Sequence, residues 1–329
     1  MSSNFTTEWP PVTIVIPVRN EVDAIGDALG SIDRQDYPGD IEVVVADGMS
    51  DDGTRQALDR VDGVIVVDNV DRTTPAGLNR AIQRASGEVI VRCDAHSTFS
   101  ANYVRRAVEV LKATGADNVG GVQRAVGDGL IQQAIASAMS SPIGVGDARF
   151  HYGGAPGPVD TVYLGVFPRS VFERVGWFDE TLTRNQDYEL NIRIRNAGGT
   201  VYFDPDLVVD YRPRASLAAL WRQYFDYGTW KRQVVSKHPA SLRLRQLAPP
   251  LLIVGLVLSA GMALAGWYVA AAVIPAAWVA VLVAGTVWST ISQRKKSSLL
   301  FGLAAGTMHL AWGLGFTIGR PAQPSSKPL

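Results

Sequence analysis

Short β-branched runs alternate with amphipathic stretches over the first third of the chain. Val12–Pro17, Ile41–Ala46, Val64–Val67 and Glu88–Arg92 are apolar at nearly every position rather than at alternate ones, the pattern of strands covered on both faces. The segments between and after them, at about 21–35, 53–60, 75–86 and 101–114, predict helices. This βαβα order predicts an α/β domain over residues 1–214, built on a mostly parallel, doubly wound sheet with right-handed crossovers. The glycine-rich segment Gly153–Pro158 interrupts the alternation.

A different pattern follows. Leu217, Leu220, Trp221, Tyr224 and Phe225 fall at i, i+3, i+4, i+7 and i+8, one face of a helix. With basic Arg222, Lys231 and Arg232 at its edges and Arg243 and Arg245 after it, residues 215–245 predict an amphipathic interfacial helix and a basic linker. From 246 to 293, and again from 297 to 319, there is no Asp, Glu, Lys or Arg. A bilayer-crossing helix needs ~20 apolar residues. Residues 246–320 therefore predict about three transmembrane helices, with a turn near Ala265–Tyr268 and a polar tail at 321–329. Arg243 and Arg245 precede the first span, and Arg294, Lys295 and Lys296 separate the second from the third. Positive charge is retained on the cytoplasmic side, so the chain is expected to be a multi-pass protein of the inner membrane with its large N-terminal domain in the cytoplasm. Met1–Pro11 lacks a basic-then-apolar signal pattern, which agrees.

Charge and cysteine content exclude several classes. The chain of 329 residues carries 31 basic and 31 acidic side chains, so no global field points to nucleic acid. Its single cysteine, Cys93, excludes an internal disulfide framework and a multi-cysteine metal centre. No Gly-x-Gly-x-x-Gly or Walker loop follows the first strands, which argues against dinucleotide or P-loop chemistry.

Candidate chemistry lies at the strand ends, since ligands of open α/β sheets bind outside the carboxyl ends of the strands. The first strand ends in Pro17-Val18-Arg19-Asn20-Glu21 and the second in Asp47-Gly48-Met49-Ser50-Asp51-Asp52-Gly53-Thr54. Capping of the next helix accounts for Ser50, Asp51 and Asp52. Asp47, the first polar residue beyond a buried run, is expected to meet a base or ribose. The fourth strand ends in Arg92-Cys93-Asp94-Ala95-His96. A helix predicted from Arg184 onward carries Asp187 in its first turn, where the helix dipole favours a carboxylate. Its Arg193 and Arg195 are expected to face outward or to reach for phosphates.

The ordered set Pro17–Glu21, Asp47–Thr54, Asp94–His96, Tyr152-Gly153-Gly154, Val175–Glu180 and Gln186–Leu190 resembles family 2 glycosyltransferases, in particular membrane-anchored enzymes of the succinoglycan-biosynthesis type. The resemblance covers about residues 10–235 and, more loosely, the apolar tail. It implies a GT-A (nucleotide-diphospho-sugar transferase) fold, a nucleotide-sugar donor, a divalent cation and inversion at the anomeric carbon. Asp94 matches the first Asp of the family's Asp-x-Asp motif and would hold the sugar-nucleotide and the cation. His96 stands at the second position, and because imidazole ligates Mn²⁺ better than Mg²⁺, the departure favours Mn²⁺. Asp187 matches the catalytic base, with Gln186 replacing the acid that precedes it. Pro17, Arg19, Glu21, Asp47 and Arg72 would contact the donor; Gln186, Tyr152, Gly153, Gly154 and Trp230 are weaker candidates for acceptor contacts or a lid. Trp230-Lys231-Arg232 only remotely resembles the Gln-x-x-Arg-Trp motif of processive synthases, which favours transfer of one sugar at a time.

The expected activity is transfer of one sugar, with UDP as the family's usual nucleotide, to a lipid-linked polyprenyl saccharide for cell-surface polysaccharide or glycolipid. Anchoring the site at a membrane concentrates it near such an acceptor. Two alternatives remain at this stage: transfer to polyprenyl phosphate itself, and a catalytically silent membrane scaffold. A scaffold has no need to keep both Asp94 and Asp187.

Overall fold

The structure, a computed structural model, describes Phe5 and residues 7–320. The polar tail expected at 321–329 lies outside the described residues. The chain forms two compact units, one from residues up to 124 together with 153–211, the other from 125–152 together with 212 onward.

In chain order, the first part runs β1 (Val12–Val18), α1 (Ile25–Asp33), β2 (Ile41–Asp47), α2 (Thr54–Leu58), β3 (Val64–Asp68), α3 (Thr74–Arg84), β4 (Val89–Arg92), β5 (Ser97–Phe99), α4 (Tyr103–Thr114) and β6 (Asn118–Ala125). Helices α5 (Leu130–Met139) and α6 (Pro142–Val145) belong to the second unit. The chain then returns as β7 (Gly157–Pro158), β8 (Tyr163–Pro168), α7 (Ser170–Val175), α8 (Gln186–Asn196) and β9 (Val201–Tyr211). The strands form one sheet in the order β3-β2-β1-β4-β8-β6-β9-β5, with β7 also on β9.

The first four strands lie where their β-branched runs place them, and they pair in parallel, β2 with β1 and β3, β1 with β4. Beyond β4 the sheet is mixed, because β8 runs antiparallel to both β4 and β6. Parallel neighbours need a crossover connection, usually a helix; antiparallel neighbours do not. Ile14, Ile16, Val45, Val91, Tyr103 and Leu111 sit in the core, at most 2% exposed, and fix the sheet between its helices. The parallel register sets Val18 beside Asp47 and Val15 beside Arg92, so the loops after β1, β2 and β4 open on one edge.

The second unit contains α5, α6, α9 (Leu217–Lys237), α10 (Leu244–Leu264), α11 (Tyr268–Gln293) and α12 (Phe301–Ile318). Ser216 caps α9, its Oγ accepting the Ala219 N–H at 3.2 Å. Helices α10 and α11, and the stretch Lys296–Ile318 that includes α12, are long and apolar enough to cross a membrane. Residues 125–152, expected from their sequence position to belong to the α/β domain of residues 1–214, pack instead among these helices. Ser137 of α5 shares a 2.9 Å hydrogen bond with Ser289 and accepts one of 2.7 Å from Gln293, both on α11.

Candidate active site

The loops after β1 and β2 are sewn together. Asn20 accepts from the Asp51 N–H at 3.0 Å and donates to the Asp51 carboxylate at 2.8 Å, while its own N–H reaches Ser50 Oγ at 3.0 Å. Asp52 accepts the Thr54 N–H and hydroxyl at 2.9 and 2.6 Å and the Val22 N–H at 3.1 Å, bracing the turn before α2. The N-cap itself is Gly53, and Ser50, Asp51 and Asp52, expected to cap, bond within the loops instead, because the left-handed Gly53 stands between them and the helix. Hydrogen bonds from Thr54 hold the Asp52 carboxyl below the usual range. The Thr54 hydroxyl also accepts the Glu21 N–H at 2.9 Å. Asp47, buried at the end of β2, accepts from the Ser50 N–H at 3.2 Å and hydroxyl at 2.6 Å. Its other oxygen lies 3.8 Å from Arg55. Most of what Asp47 does here is shape its own loop.

The fourth strand brings together residues that are distant in sequence. Arg92, 6% exposed, donates Nε and a terminal nitrogen to Asp94 Oδ1 at 3.0 and 2.9 Å, and its other terminal nitrogen to Asp187 at the start of α8. One guanidinium thus ties together two carboxylates 93 positions apart in sequence. Its fork geometry suits two carboxylates and it stays charged when buried. Removal from water raises the Asp187 pKa, Arg92 pulls it down and Asp94 pushes it up, with a net rise. A carboxylate so placed is suited to accept a proton.

Several other motif residues support this arrangement. Asn79 of α3 donates to the Phe178 carbonyl at 2.9 Å and to Glu180 at 2.8 Å, and accepts the Phe178 N–H at 2.9 Å, fixing the segment that leads to α8. Arg193 does not reach for phosphate. It clamps Glu189 at 2.8–3.0 Å and the carbonyls of Val175, Gly176 and Trp177 at 2.6–3.2 Å, because the turn before α8 leaves those acceptors facing it. Gln186 is buried at the first position of α8.

His96 stands exposed after the turn closed by the Ser97 N–H on the Asp94 carbonyl, 2.9 Å long. Its Nδ1 lies 3.5 Å from Glu21 Oε1, and its ring meets Tyr211 edge-on at 6.0 Å. Among the described residues no three His, Cys, Asp or Glu side chains form a cage for a metal. The donor set still fits a divalent cation of the kind that takes one or two carboxylates and completes its shell with substrate phosphate and water. Both Arg92 bonds fall on Asp94 Oδ1, which leaves Oδ2 to face a ligand, with His96 two residues along.

Arg19 and Arg72 are exposed at loops after β1 and β3, Arg72 with a left-handed φ of 56°. Pro17 is half-buried near the end of β1. Gly153 and Gly154 have positive φ in the first unit, whereas Tyr152 and Trp230 belong to the second, where Trp230 is packed inside. The residue that sequence reasoning missed is Arg92. Its signal was a charged residue at the end of an otherwise apolar strand, two positions before the carboxylate that motif matching selected.

Comparisons with known proteins place the chain. Residues 13–176 match the family described as glycosyl transferase family 2. The succinoglycan biosynthesis protein ExoA of Rhizobium meliloti (strain 1021) is 34% identical over 323 residues, 96% of either chain. A Methanococcus voltae protein, named as a glucuronosyltransferase acting on dolichyl N-acetyl-glucosaminyl phosphate, is 23% identical over 69% of this chain and 74% of its own. Among solved structures, the mannosyltransferase PcManGT of Pyrobaculum calidifontis, in complex with GDP-Man and Mn²⁺, superposes with a TM-score of 0.65 at 22% identity, over 96% of this chain and 91% of its own. That likeness carries the GT-A fold, and with the ExoA match over the full length, the chain belongs to glycosyltransferase family 2.

Proposed function

We propose that this enzyme is an inverting glycosyltransferase that moves one sugar from a nucleotide-sugar to a lipid-linked saccharide at the cytoplasmic face of the plasma membrane. The observation that carries the reading is the Arg92 bridge, which holds a candidate base and a candidate donor-binding carboxylate in one site. Asp187 accepts the proton of the acceptor hydroxyl as that oxygen attacks the anomeric carbon from the face opposite the leaving group. Asp94 orients the donor, with Pro17, Arg19, Glu21, Asp47 and Arg72 around the nucleotide. A divalent cation on Asp94 and His96 would neutralise charge on the departing diphosphate. Arg92 keeps Asp94 and Asp187 in register, a positioning role.

UDP is the proposed nucleotide and Mn²⁺ the proposed metal; the archaeal neighbour's GDP-Man and Mn²⁺ support a nucleotide-sugar and a divalent cation in general. The lipid-linked acceptor is supported by the apolar helices and by the dolichyl-linked substrate in the methanococcal relative's name. Gln186, Tyr152, Gly153, Gly154 and Trp230 remain proposed acceptor or lid residues. The test is donor hydrolysis over UDP-, GDP- and dTDP-sugars with Mn²⁺ or Mg²⁺ on detergent-solubilised full-length protein. One donor, cleaved only with metal, is the expected result; cleavage of none, with every donor also failing to bind, removes the enzymatic reading in favour of a silent scaffold.

A further inference from the structure

Helix α12 differs from α10 and α11 in what covers it. The other two present side chains such as Leu251, Val257, Val269 and Val283 to the surface at 56–87% exposure. In α12, Phe301, Ala304, Ala305, Met308 and Ala311 are at most 1% exposed.

Its neighbours change along its length. Near its start, the Gly302 N–H donates to Thr286 of α11 at 3.0 Å. One turn past the middle of its first half, Trp278 Nε1 donates to His309 Nδ1 at 3.3 Å, which leaves Nε2 to donate to the Ile143 carbonyl of α6 at 2.7 Å. At Gly313 the neighbour is α10, and a Cβ there would stand 2.5 Å from the Pro249 carbonyl. In the last turn it is α9. A side chain on Gly315 would strike the Phe225 carbonyl, and one on Gly228 the Trp312 carbonyl. Thr229 donates to the Gly315 carbonyl at 3.2 Å, and Arg232 donates to the carbonyls of Thr317, at 3.0 Å, and Gly319.

This is not the path of a third crossing. A helix that left the Arg294–Lys296 end and crossed fully would finish beside the turn at 265–267, where α10 and α11 meet. The last turn of α12 is instead capped by an arginine of α9, whose charged residues include Arg222, Asp226, Lys231 and Lys237. Its contact on α10, Pro249, is five residues from the start of that helix, ~8 Å at 1.5 Å per residue, and ~24 Å short of Ala265. A crossing α12 would also take its partner α9, with Arg222, Asp226 and Lys231, into the depth of the bilayer, where charge is costly. A helix covered on most sides must be apolar all round whether or not it crosses. Leu130 and Ile131 of α5, 57% and 40% exposed, extend the apolar surface of the same group of helices.

We propose that only α10 and α11 cross the membrane, and that α12, with α5, α6 and α9, forms a platform immersed in the leaflet beside Arg243, Arg245 and Arg294–Lys296, so that α12 ends on the side where it begins. Placing that side in the cytoplasm rests on the orientation proposed above. The test uses full-length protein in its native membrane, with one cysteine at a time introduced as Asp62→Cys on the catalytic unit, Trp267→Cys in the α10–α11 turn, or appended after Leu329. A membrane-impermeant maleimide is applied to intact cells and to inverted vesicles; buried Cys93 supplies the background in the parent chain. The expected result is that the appended cysteine is labelled in the same preparation as Asp62→Cys and protected where Trp267→Cys is labelled. Labelling together with Trp267→Cys, or protection in both preparations, overturns the proposal. If Asp62→Cys and the appended cysteine are both labelled from outside, the platform stands and the proposed orientation fails.

Discussion

Two groups of carboxylates crown the same sheet edge and are satisfied in opposite ways. After β1 and β2, the Asp47, Asp51 and Asp52 carboxylates receive hydrogen bonds mainly from neutral N–H and hydroxyl groups of the loops themselves. After β4, Asp94 and Asp187 share one buried cation. A carboxylate held by its own loop shapes that loop, whatever else it touches, because moving it unravels the turn. A carboxylate held by the Arg92 guanidinium keeps an oxygen available, and its charge depends on a partner that can be removed.

The sharpest break of this comparison is Asp187→Asn. It keeps size and most hydrogen bonding, so donor affinity should survive while turnover falls by about 10²–10⁴-fold, the usual worth of a positioned base. Turnover within a few-fold of the parent would reduce Asp187 to a helix-terminal acid. Next in size, Arg92→Met leaves two carboxylates without their shared counter-charge; because the Asp187 side chain is 37% exposed, solvent screens part of the loss, which should fall below the about 3–5 kcal/mol of a fully buried pair. Thermal unfolding should register the loss. With the cation gone the Asp187 pKa rises further, so in whatever protein remains folded the acid limb of kcat/KM should move to higher pH; an unmoved limb separates Arg92 from the base.

On the other side of the comparison, Thr54→Val removes the hydroxyl that joins Glu21 to Asp52. It should cost about 1–3 kcal/mol in chemical denaturation while turnover per folded molecule changes little. A loss of turnover as deep as that of Asp187→Asn would erase the distinction between the two groups. The smallest expected effect is that of His96→Asp, which should raise activity with Mg²⁺ relative to Mn²⁺ because the donor set becomes harder. Equal metal preference in both proteins would show that His96 is not a ligand.

What the sequence disclosed follows from how local each signal is. β1 to β4 are continuous apolar runs, and their limits match the structure to within one or two residues. β6 and β9 carry Gly120-Gly121 and Pro205 and mix polar with apolar positions, so no run announces them, while the short apolar β8 is broken by Gly165. That Asp52 turns its carboxylate onto its own loop was legible because donor and acceptor lie two residues apart. The Arg92–Asp187 contact joins positions 95 apart, and only the pairing of β4 with its neighbours brings them together. Residues 125–152 were assigned by position between strands, whereas their apolar faces find partners in helices more than 140 residues later, such as Ser289 and His309.

The course of α12 also bears on how the protein is made. Domains generally fold as they leave the ribosome, N-terminal part first, and α5 and α9 emerge well before α12. Helices α5 and α9 must therefore wait, with the glycine face around Gly228 uncovered, until α12 is released. A ribosome that stalls short of that point leaves a nascent chain whose nucleotide-binding strands are complete but whose membrane platform has no keystone.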